Sequence, residues 1–451
     1  MKIRFSLPDS LGDAFQRMRE ENATDRRRRR RLRGRRAWRI AVIVAASVAA
    51  GAAAVGFAKL CDLGIGLHAR LAAISPLAAL ALLPAGLVLA TWLTRTLAPE
   101  ASGSGIPQVI AASEESWPGR RADPRISLKT VGFKVLAAAF LLLCGASIGR
   151  EGPTVQVAAA IVYALTAGLR GGPSRRALLV AGGAAGVAAA FNTPIAGVVF
   201  AVEEIAKGFD RRSNSIIILV VVASGAAAYA LSGDYAYFGE MRGSTNLASV
   251  WIAAPILGAL CGLAGGAFSR ALAAAIGPRA TPITRFKARR PLLFAGLCGL
   301  AAALAAFASH GLSYGAGYAQ AKSLFEGHPG RGLVLAASKW VATLAASASG
   351  APGGLFAPSL ATGAGIGSAF ARIAPWLVSS RDMTVLGMAA YLAGVVQAPL
   401  TSAVILMEMT RDPALVGPLM LATLTARAVS ARVMDEPIYH LLALTWSRRR
   451  D

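Results

Sequence analysis

The chain has 451 residues, of which 55% are hydrophobic and only 16% are charged, and its mean hydropathy is +0.54. Water-soluble domains carry about a quarter charged residues, so this composition excludes a soluble globular protein and indicates a polytopic membrane protein. The formal net charge is +24. Glycine occurs 48 times, which is typical of membrane helices that pack closely through small residues.

The first 39 residues form a polar arm with a strong positive charge. Residues 6–21 carry apolar side chains at helical spacing and predict a short helix. Ten arginines follow between positions 26 and 39, directly before the first apolar span at 40–58. Such a run of arginines is suited to bind nucleic acid. Its position directly before a membrane span instead favours a role in setting membrane topology by the positive-inside rule and in contacting anionic lipid. Because the tail at 441–451 is also basic, we expect both termini to be cytoplasmic and no nucleic-acid partner.

The rest of the chain alternates apolar segments with breaks rich in glycine and proline. A second segment at 76–97 leads into Gly103-Ser104-Gly105-Ile106-Pro107, and the apolar run at 135–144 leads into another break at 145–153. We therefore expect many broken or half-membrane helices. A polar stretch at 233–248 divides the chain into two halves. Further apolar segments are predicted at 177–190, 194–203, 215–231, 250–275, 292–308 and 332–349.

The break at 145–153 carries an Arg150-Glu151 pair, after which Gly152-Pro153 opens a new helix. Proline is tolerated in a first helical turn because the amide it lacks would have no helical partner. A helix N-terminus inside hydrophobic surroundings is an anion site, and the carboxylate of Glu151 is able to occupy that site when no anion is bound. The alternative is a structural Arg–Glu ion pair beside a packing kink.

The pattern of this break returns 205 residues later, where Gly350 takes the place of Gly145. Such a repeat of broken apolar segments predicts a transporter built from two structural repeats, here 40–235 and 236–440, with its site where the breaks meet. An inverted repeat requires an odd number of membrane crossings in each half. Residues that match at this offset are Lys134 and Lys339, Gly182 and Gly387, Asn192 and Gln397, and Glu203 and Glu408.

Acids inside apolar segments are the main ionisable candidates, because a charge at the bilayer centre costs about 2.5–3.5 kcal/mol. Glu151 is the strongest candidate and Glu204 the next, whereas Glu203 and Glu408 at helix ends favour a structural role. The histidines lie outside the central motifs, and no H-E-x-x-H metalloprotease motif or phosphate-loop motif is present in the sequence. We therefore expect no enzyme activity, no metal and no cofactor. The cysteines lack metal-ligand spacing and are expected to be buried free thiols: Cys61, Cys144, Cys261 and Cys298.

Three loops, at 103–107, 149–153 and 354–358, resemble the signature loops of the CLC family of chloride channels and proton-coupled chloride transporters. The resemblance extends over residues 40–440 and keeps the order and spacing of the loops. It implies an all-α fold of about eighteen helices in two inverted repeats. It also implies a homodimer in which each subunit has its own anion path.

The resemblance assigns roles where the motifs match. Ser104 and Tyr439 are similar to the residues whose hydroxyls hold chloride, Glu151 to the gating glutamate, and Glu204 to the inner proton-transfer glutamate of the exchangers. Partial charges suit such a site because a full positive charge would bind chloride too tightly to release it. For Ser104 and Tyr439 the alternative is helix capping and interface anchoring. The remaining expected chloride-site residues are Gly149, Arg150, Gly152, Leu355 and Phe356.

The sequence departs from the family pattern after the first loop. Gln108 stands where many relatives have a glutamate, and Ile110 stands where an acid sometimes occurs. With fewer acids nearby, Glu114 is the expected partner of Arg150. These departures concern the proton route near Glu204 and leave the anion path unaffected.

The resulting functional hypothesis is secondary active exchange of chloride for protons across the lipid bilayer of a bacterial inner membrane. The main alternative is a passive voltage- or pH-gated chloride channel of the same family. A fluoride exporter of the family is a further alternative, although such relatives depart from the serine and glutamate loops kept here. An intramembrane protease would need a Ser–His pair or two aspartates at membrane depth.

Overall fold

The computed structural model describes residues 9–115, 123–208, 211–233, 238–239, 247–328, 330–373, 375 and 378–447. Within these residues the chain forms eighteen α-helices and no β-sheet, so the predicted all-α fold is confirmed. The first eight residues of the arm, parts of the polar stretch at 233–248 and the basic end of the tail lie outside the described residues.

The helices fall into two series that follow one another along the chain. The first series consists of α1 Asp9–Ile74, α2 Pro76–Leu97, α3 Ile106–Glu114, α4 Leu128–Leu143, α5 Glu151–Thr166, α6 Arg175–Phe191, α7 Pro194–Phe200 and α8 Arg211–Ser232. The second consists of α9 Leu247–Ile276, α10 Pro282–Arg289, α11 Pro291–Ala308, α12 Tyr318–Phe325, α13 Gly332–Ser349, α14 Phe356–Ile373, α15 Ser380–Val396, α16 Pro399–Thr410, α17 Val416–Val433 and α18 Ile438–Ser447.

Part of this helical set is long enough to cross a bilayer, and part is not. Crossing the hydrocarbon core takes about 20 residues of helix. In the described part of the chain, α1, α2, α8, α9, α11, α13 and α17 meet criteria of length and apolar composition for a span. By contrast, α3 has 9 residues and α7 only 7, in agreement with the broken helices that the glycine-proline breaks predict.

The prediction of a separate short helix at 6–21 is wrong. Helix α1 runs without interruption for 66 residues, from Asp9 to Ile74, so the polar arm and the first span form one helix. Arginine is a good helix former, and the two glycines of the arm, Gly12 and Gly34, each cost only about 1 kcal/mol in a helix interior. The first proline after the arm is Pro76, where the next helix begins.

The two repeats break their helices in the same way. Helix α6 ends at Asn192 and α15 at Gln397, and both residues have left-handed backbones, with φ of 57° and 59°. Pro194 and Pro399 then begin α7 and α16. A left-handed residue that ends one helix and a proline that starts the next are the chain's normal stop and start signals. The offset of 205 residues therefore describes real structural equivalence.

Glu203 and Glu408 join the two repeats reciprocally. The carboxylate of Glu203 accepts hydrogen bonds from the first amides of α16, Leu400 N at 3.0 Å and Thr401 N at 2.6 Å. The carboxylate of Glu408 accepts from the equivalent amides of α7, at 3.1 and 2.7 Å. Each acid thus caps a helix N-terminus in the other half, where the first amides have no helical partner. These hydrogen bonds are consistent with the structural role that the sequence predicts for Glu203 and Glu408.

Two lysines that match at the same offset each hold a glycine loop. Lys134 and Lys339 are fully buried. The ammonium of Lys134 donates to the carbonyl of Gly103 at 3.1 Å, and that of Lys339 donates to the carbonyl of Gly315 at 2.5 Å. Both glycines have positive φ, 69° and 63°. The cations therefore fix two related Gly-X-Gly loops, at 103–105 and 315–317, in front of α3 and α12.

The four cysteines are buried free thiols, as the sequence predicts.

We expect Glu203→Ala and Glu408→Ala to destabilise the protein by similar amounts, because each variant leaves two helix-terminal amides without their acceptor. Loss of such a cap costs about 1–2 kcal/mol. Thermal unfolding of the detergent-solubilised protein measures the effect. Glu114→Ala, at an exposed acid, is the control. Unfolding of either capping variant at the control's temperature would contradict the reciprocal cap.

Candidate functional site

The three signature loops are joined through their backbones at the centre of the protein. Gly149 and Gly354 exchange two hydrogen bonds, each amide donating to the other's carbonyl at 2.8 Å. Gly103 forms a second bridge, with Pro352. Gly149 and Gly354 lie 205 positions apart, so the equivalent loops of the two repeats pair with each other. The breaks meet in one place, as the repeat predicts.

This pairing brings the N-termini of α3, α5 and α14 together, because each helix starts directly after its loop. The approach is too close for side chains. A Cβ at position 152 would overlap the hydroxyl of Ser104 and lie 2.9 Å from its carbonyl oxygen and 3.2 Å from the Cα of Gly354. Gly152 is therefore required for the approach of the first loop. Three helix N-termini concentrate partial positive charge at this point, which suits an anion.

Glu151 is the first residue of α5 and is fully buried. Its Oε2 atom accepts a hydrogen bond from the amide of Ala357, in the first turn of α14, at 3.4 Å. Its Oε1 atom accepts a hydrogen bond from the hydroxyl of Tyr318. The carboxylate therefore lies at the helix N-terminus of the opposite repeat. The sequence places Glu151 at the start of its own helix but does not indicate this crossing.

Tyr318 is a site residue that the sequence analysis missed. It is the first residue of α12 and directly follows the Gly315-Ala316-Gly317 loop. This loop corresponds to Gly103-Ser104-Gly105, but at an offset of 212 residues, so the constant register of 205 does not find it. The glycine-rich connection at 311–317 was the available sequence signal.

Ser104 and Tyr439 place two buried hydroxyls beside the helix N-termini. The Ser104 hydroxyl is the neighbour of the Tyr439 hydroxyl. Within the described residues neither oxygen makes a hydrogen bond of normal geometry. Buried hydroxyls without partners are uncommon because each costs about 1–3 kcal/mol. Helix capping does not explain Ser104, since the N-cap residue of α3 is Gly105. Both hydroxyls are available as donors to an anion.

Aromatic rings surround the start of α14. The ring of Phe356 stacks on that of Tyr439, with centroids 6.2 Å apart and planes inclined by 18°. Phe191 and Phe200 contact the same ring at 6.0 and 6.1 Å. Leu355, directly before α14, is buried as well. Water is therefore excluded from one side of the site, which strengthens every electrostatic interaction inside it.

A cavity of about 270 Å³ approaches the site from one side of the protein. Its walls include Ser104 and Leu355 at the site and two cationic side chains, Arg95 and Lys287. Arg95 is exposed. Cationic walls raise the local concentration of anions, so the cavity suits anion access to Ser104.

Arg150 forms an ion pair with Asp62, so the prediction that Glu114 is its partner is wrong. The guanidinium donates to Asp62 Oδ1 at 2.7 Å and to the Ala58 carbonyl at 2.8 Å, both on α1. Glu114 is exposed at the end of α3. The partner comes from a helix 88 residues earlier in the chain, a contact that no local spacing indicates. Gln108 donates instead to two carbonyls just before the first loop, those of Glu100 and Ser102.

Glu204 lies in a π-helical turn, Ala201–Ile205, that follows α7. It is buried, with 3% of its surface exposed, and its Oε1 atom has no hydrogen-bond partner among the described residues. Glu203, its neighbour in sequence, faces α16 instead. The turn therefore separates Glu203, which caps the N-terminus of α16, from Glu204, which caps no helix that the structure describes. A buried acid without a hydrogen-bond partner is a candidate for a functional role.

The broken helices of the two repeats meet at a buried carboxylate and two hydroxyls without hydrogen-bond partners in the described ranges. This arrangement defines a membrane protein that is built from two structural repeats and whose centre is suited to bind an anion. The chain belongs to the CLC family: the model of the family described as voltage gated chloride channel matches residues 86–431.

Relatives with known names support this membership. The chain is 32% identical over 381 residues to the H(+)/Cl(-) exchange transporter ClcA of Yersinia pestis, covering 79% of this chain and 76% of the relative. It is also 32% identical over 363 residues to the protein of that name from Vibrio parahaemolyticus, covering 78% and 76% of the two chains.

Solved structures share the fold at lower sequence identity. A slow cyanobacterial Cl-/H+ antiporter matches with a TM-score of 0.77 at 23% identity, covering 92% of this chain and 99% of its own. A CLC-type fluoride/proton antiporter matches with a TM-score of 0.76 at 22% identity, covering 90% and 98%. These matches confirm the predicted fold class.

We expect Gly152→Ala to destabilise the protein by about 1–3 kcal/mol, because the added methyl group overlaps Ser104 in a region without free space. Thermal unfolding in detergent measures the change. Gly168→Ala is the matched control, since a Cβ there meets no atom within 4 Å. Equal unfolding temperatures for the two variants would contradict the tight approach of the loops.

Proposed function

We propose that this protein exchanges chloride for protons as a secondary active transporter of the bacterial inner membrane. The observation that carries the proposal is the position of the Glu151 carboxylate, which is held by the Ala357 amide and the Tyr318 hydroxyl at a buried helix N-terminus. The names of the two relatives, both H(+)/Cl(-) exchange transporters, support the same activity.

In the proposed chloride site, the ion replaces its water shell with neutral donors. The hydroxyls of Ser104 and Tyr439 donate from one side, and backbone amides at Leu355 and Phe356 donate from the start of α14. Partial charges of this kind hold an anion without trapping it. The wall of the path is completed by the loop around Glu151, formed by Gly149, Arg150 and Gly152.

Glu151 and chloride compete for the same place in this mechanism. The ionised carboxylate takes the amide of α14 that an anion would use. Protonation removes the charge that holds the side chain there, so the side chain leaves with its proton while chloride enters. Exchange then needs only the movement of one side chain.

Glu204 is the proposed second proton carrier. An exchanger must pass protons to the opposite face by a route apart from chloride, and a buried acid without a hydrogen-bond partner is suited to bind and release them. A passive channel, the second candidate, has no use for such an acid. A fluoride exporter is a weaker alternative because Ser104 and Glu151 keep the serine and glutamate loops.

The remaining organisation is proposed on the same basis. The repeats at 40–235 and 236–440 enclose one anion path in each subunit of a homodimer. The arm at 1–39 and the tail at 441–451 lie on the cytoplasmic side, where the arm's arginines contact anionic lipid.

In liposomes containing the purified protein, we expect an imposed chloride gradient to drive protons uphill. Glu204→Gln should keep chloride flux while proton flux falls at least about a hundredfold, the usual contribution of a proton-transferring group. Glu151→Gln should also lose proton coupling and leave passive chloride flow that no longer depends on pH. Chloride and proton movements are recorded together.

Glu114→Gln, at an exposed acid away from the site, serves as the control for these variants. Wild-type vesicles that pass chloride rapidly yet never move protons against their gradient would overturn the exchanger and establish the channel.

We expect Ser104→Ala and Tyr439→Phe each to weaken chloride binding by about tenfold, because each removes one hydroxyl donor worth about 1–1.5 kcal/mol. Isothermal calorimetry of the detergent-solubilised protein measures the dissociation constant. Ser338→Ala is the control, since that hydroxyl bonds within its own helix to the carbonyl of Leu335. Unchanged binding in both site variants would remove the hydroxyls from the chloride site.

A further inference from the structure

His440 lies between the buried acid Glu204 and the surface. It follows Tyr439 in the first turn of α18. Its Nε2 atom is 2.9 Å from the carbonyl oxygen of Glu204 and 3.8 Å from the carboxylate oxygen Oε1. The His440 side chain is 14% exposed, whereas the Glu204 side chain is 4% exposed. The imidazole is therefore the more accessible of the two groups.

The hydrogen bond fixes the tautomer of the ring. A carbonyl oxygen only accepts hydrogen bonds, so Nε2 carries the proton and Nδ1 holds the free lone pair. Glu204 Oε1 has no hydrogen-bond partner in the described part of the chain and lies within a short side-chain movement of Nε2–H. The ring thus presents an acceptor on one side and a donor toward the acid on the other.

We propose that His440 is a further proton-transfer residue, which relays protons between solvent and Glu204. The inference rests on the proposed exchange of chloride for protons. Nδ1 takes a proton from a hydronium ion and leaves water. The imidazolium then breaks its Nε2–H bond as the O–H bond of Glu204 forms, which yields a neutral acid and a neutral ring. Rotation of the ring returns a protonated nitrogen toward the carbonyl, and the reverse sequence carries a proton outward.

The surroundings keep the ring neutral between transfers. Burial, together with the nearby cation Lys207, lowers the pKa of His440 to about 4, although the hydrogen bond to the Glu204 carbonyl acts in the opposite direction. Among the described groups, Glu204 and Lys207 are the ones that act on the ring. A proton taken up at Nδ1 is therefore passed on rather than stored.

The structural alternative is that His440 only anchors α18 to the turn that carries Glu204. Glutamine distinguishes the two roles. Its amide donates to the Glu204 carbonyl as Nε2–H does, but it cannot take up and release a proton at neutral pH. A purely structural role therefore survives in His440→Gln, whereas a relay does not.

The experiment compares wild type, His440→Gln and His440→Ala in liposomes, with chloride and proton fluxes recorded together. We expect His440→Gln to keep its chloride flux and lose about tenfold or more of its proton flux, with the loss greatest at high pH where hydronium is scarce. Added imidazole should restore proton flux in His440→Ala but not in Glu204→Gln. The control is His328→Gln, at an exposed histidine.

A proton-to-chloride ratio in His440→Gln equal to that of wild type would overturn the relay. So would a failure of imidazole to raise the proton flux of His440→Ala, whatever the state of its chloride flux. A wild-type protein that moves no protons would instead reject the exchange on which the relay depends. The two failures are therefore distinguishable in the same vesicles.

Discussion

The free amides at helix N-termini buried in the protein are the constraint on which the structure depends. An apolar interior offers them no water, so each must find an acceptor within the chain. Glu203 and Glu408 satisfy two amides each, at distances of 2.6 to 3.1 Å. Glu151 accepts from the amide of Ala357 at 3.4 Å. The hydrogen bonds from helix N-terminal amides to carboxylates are therefore short where they join the two repeats. The hydrogen bond is longer at Glu151, where an anion is proposed to replace the carboxylate.

The two repeats share a backbone plan but differ in the side chains that the site uses. Lys134 and Lys339 hold equivalent Gly-X-Gly loops through the same carbonyl. In the first loop the central residue is Ser104, whose hydroxyl is free in the described part of the chain. In the second it is an alanine, and the residue after the loop is Tyr318, which donates to Glu151. In the proposed mechanism, one repeat thus offers a donor to the anion, and the other offers a donor to the carboxylate that competes with it.

Much of this architecture could be predicted from the sequence because its signals are local. Proline and glycine mark helix starts and ends, so the predicted segment at 76–97 and helix α2 have the same bounds. A constant offset exposed the repeat. The ion pair of Arg150 with Asp62 and the reach of Glu151 across to α14 could not be predicted, since they join remote segments whose spacing depends on packing. The loop before Tyr318 was not predicted because its offset from the equivalent loop of the first repeat is 212 residues rather than 205.

The first turn of α18 touches both parts of the proposed mechanism. Tyr439 stacks on Phe356 at the start of α14 and brings its hydroxyl beside that of Ser104. His440, the next residue, contacts the backbone of Glu204. Neighbouring residues on a helix point about 100° apart, so one turn faces the anion site with one side chain and the second acid with the other. In the proposed mechanism, a shift of this turn would change both environments together and would couple the two ions through one helix, without a large domain movement.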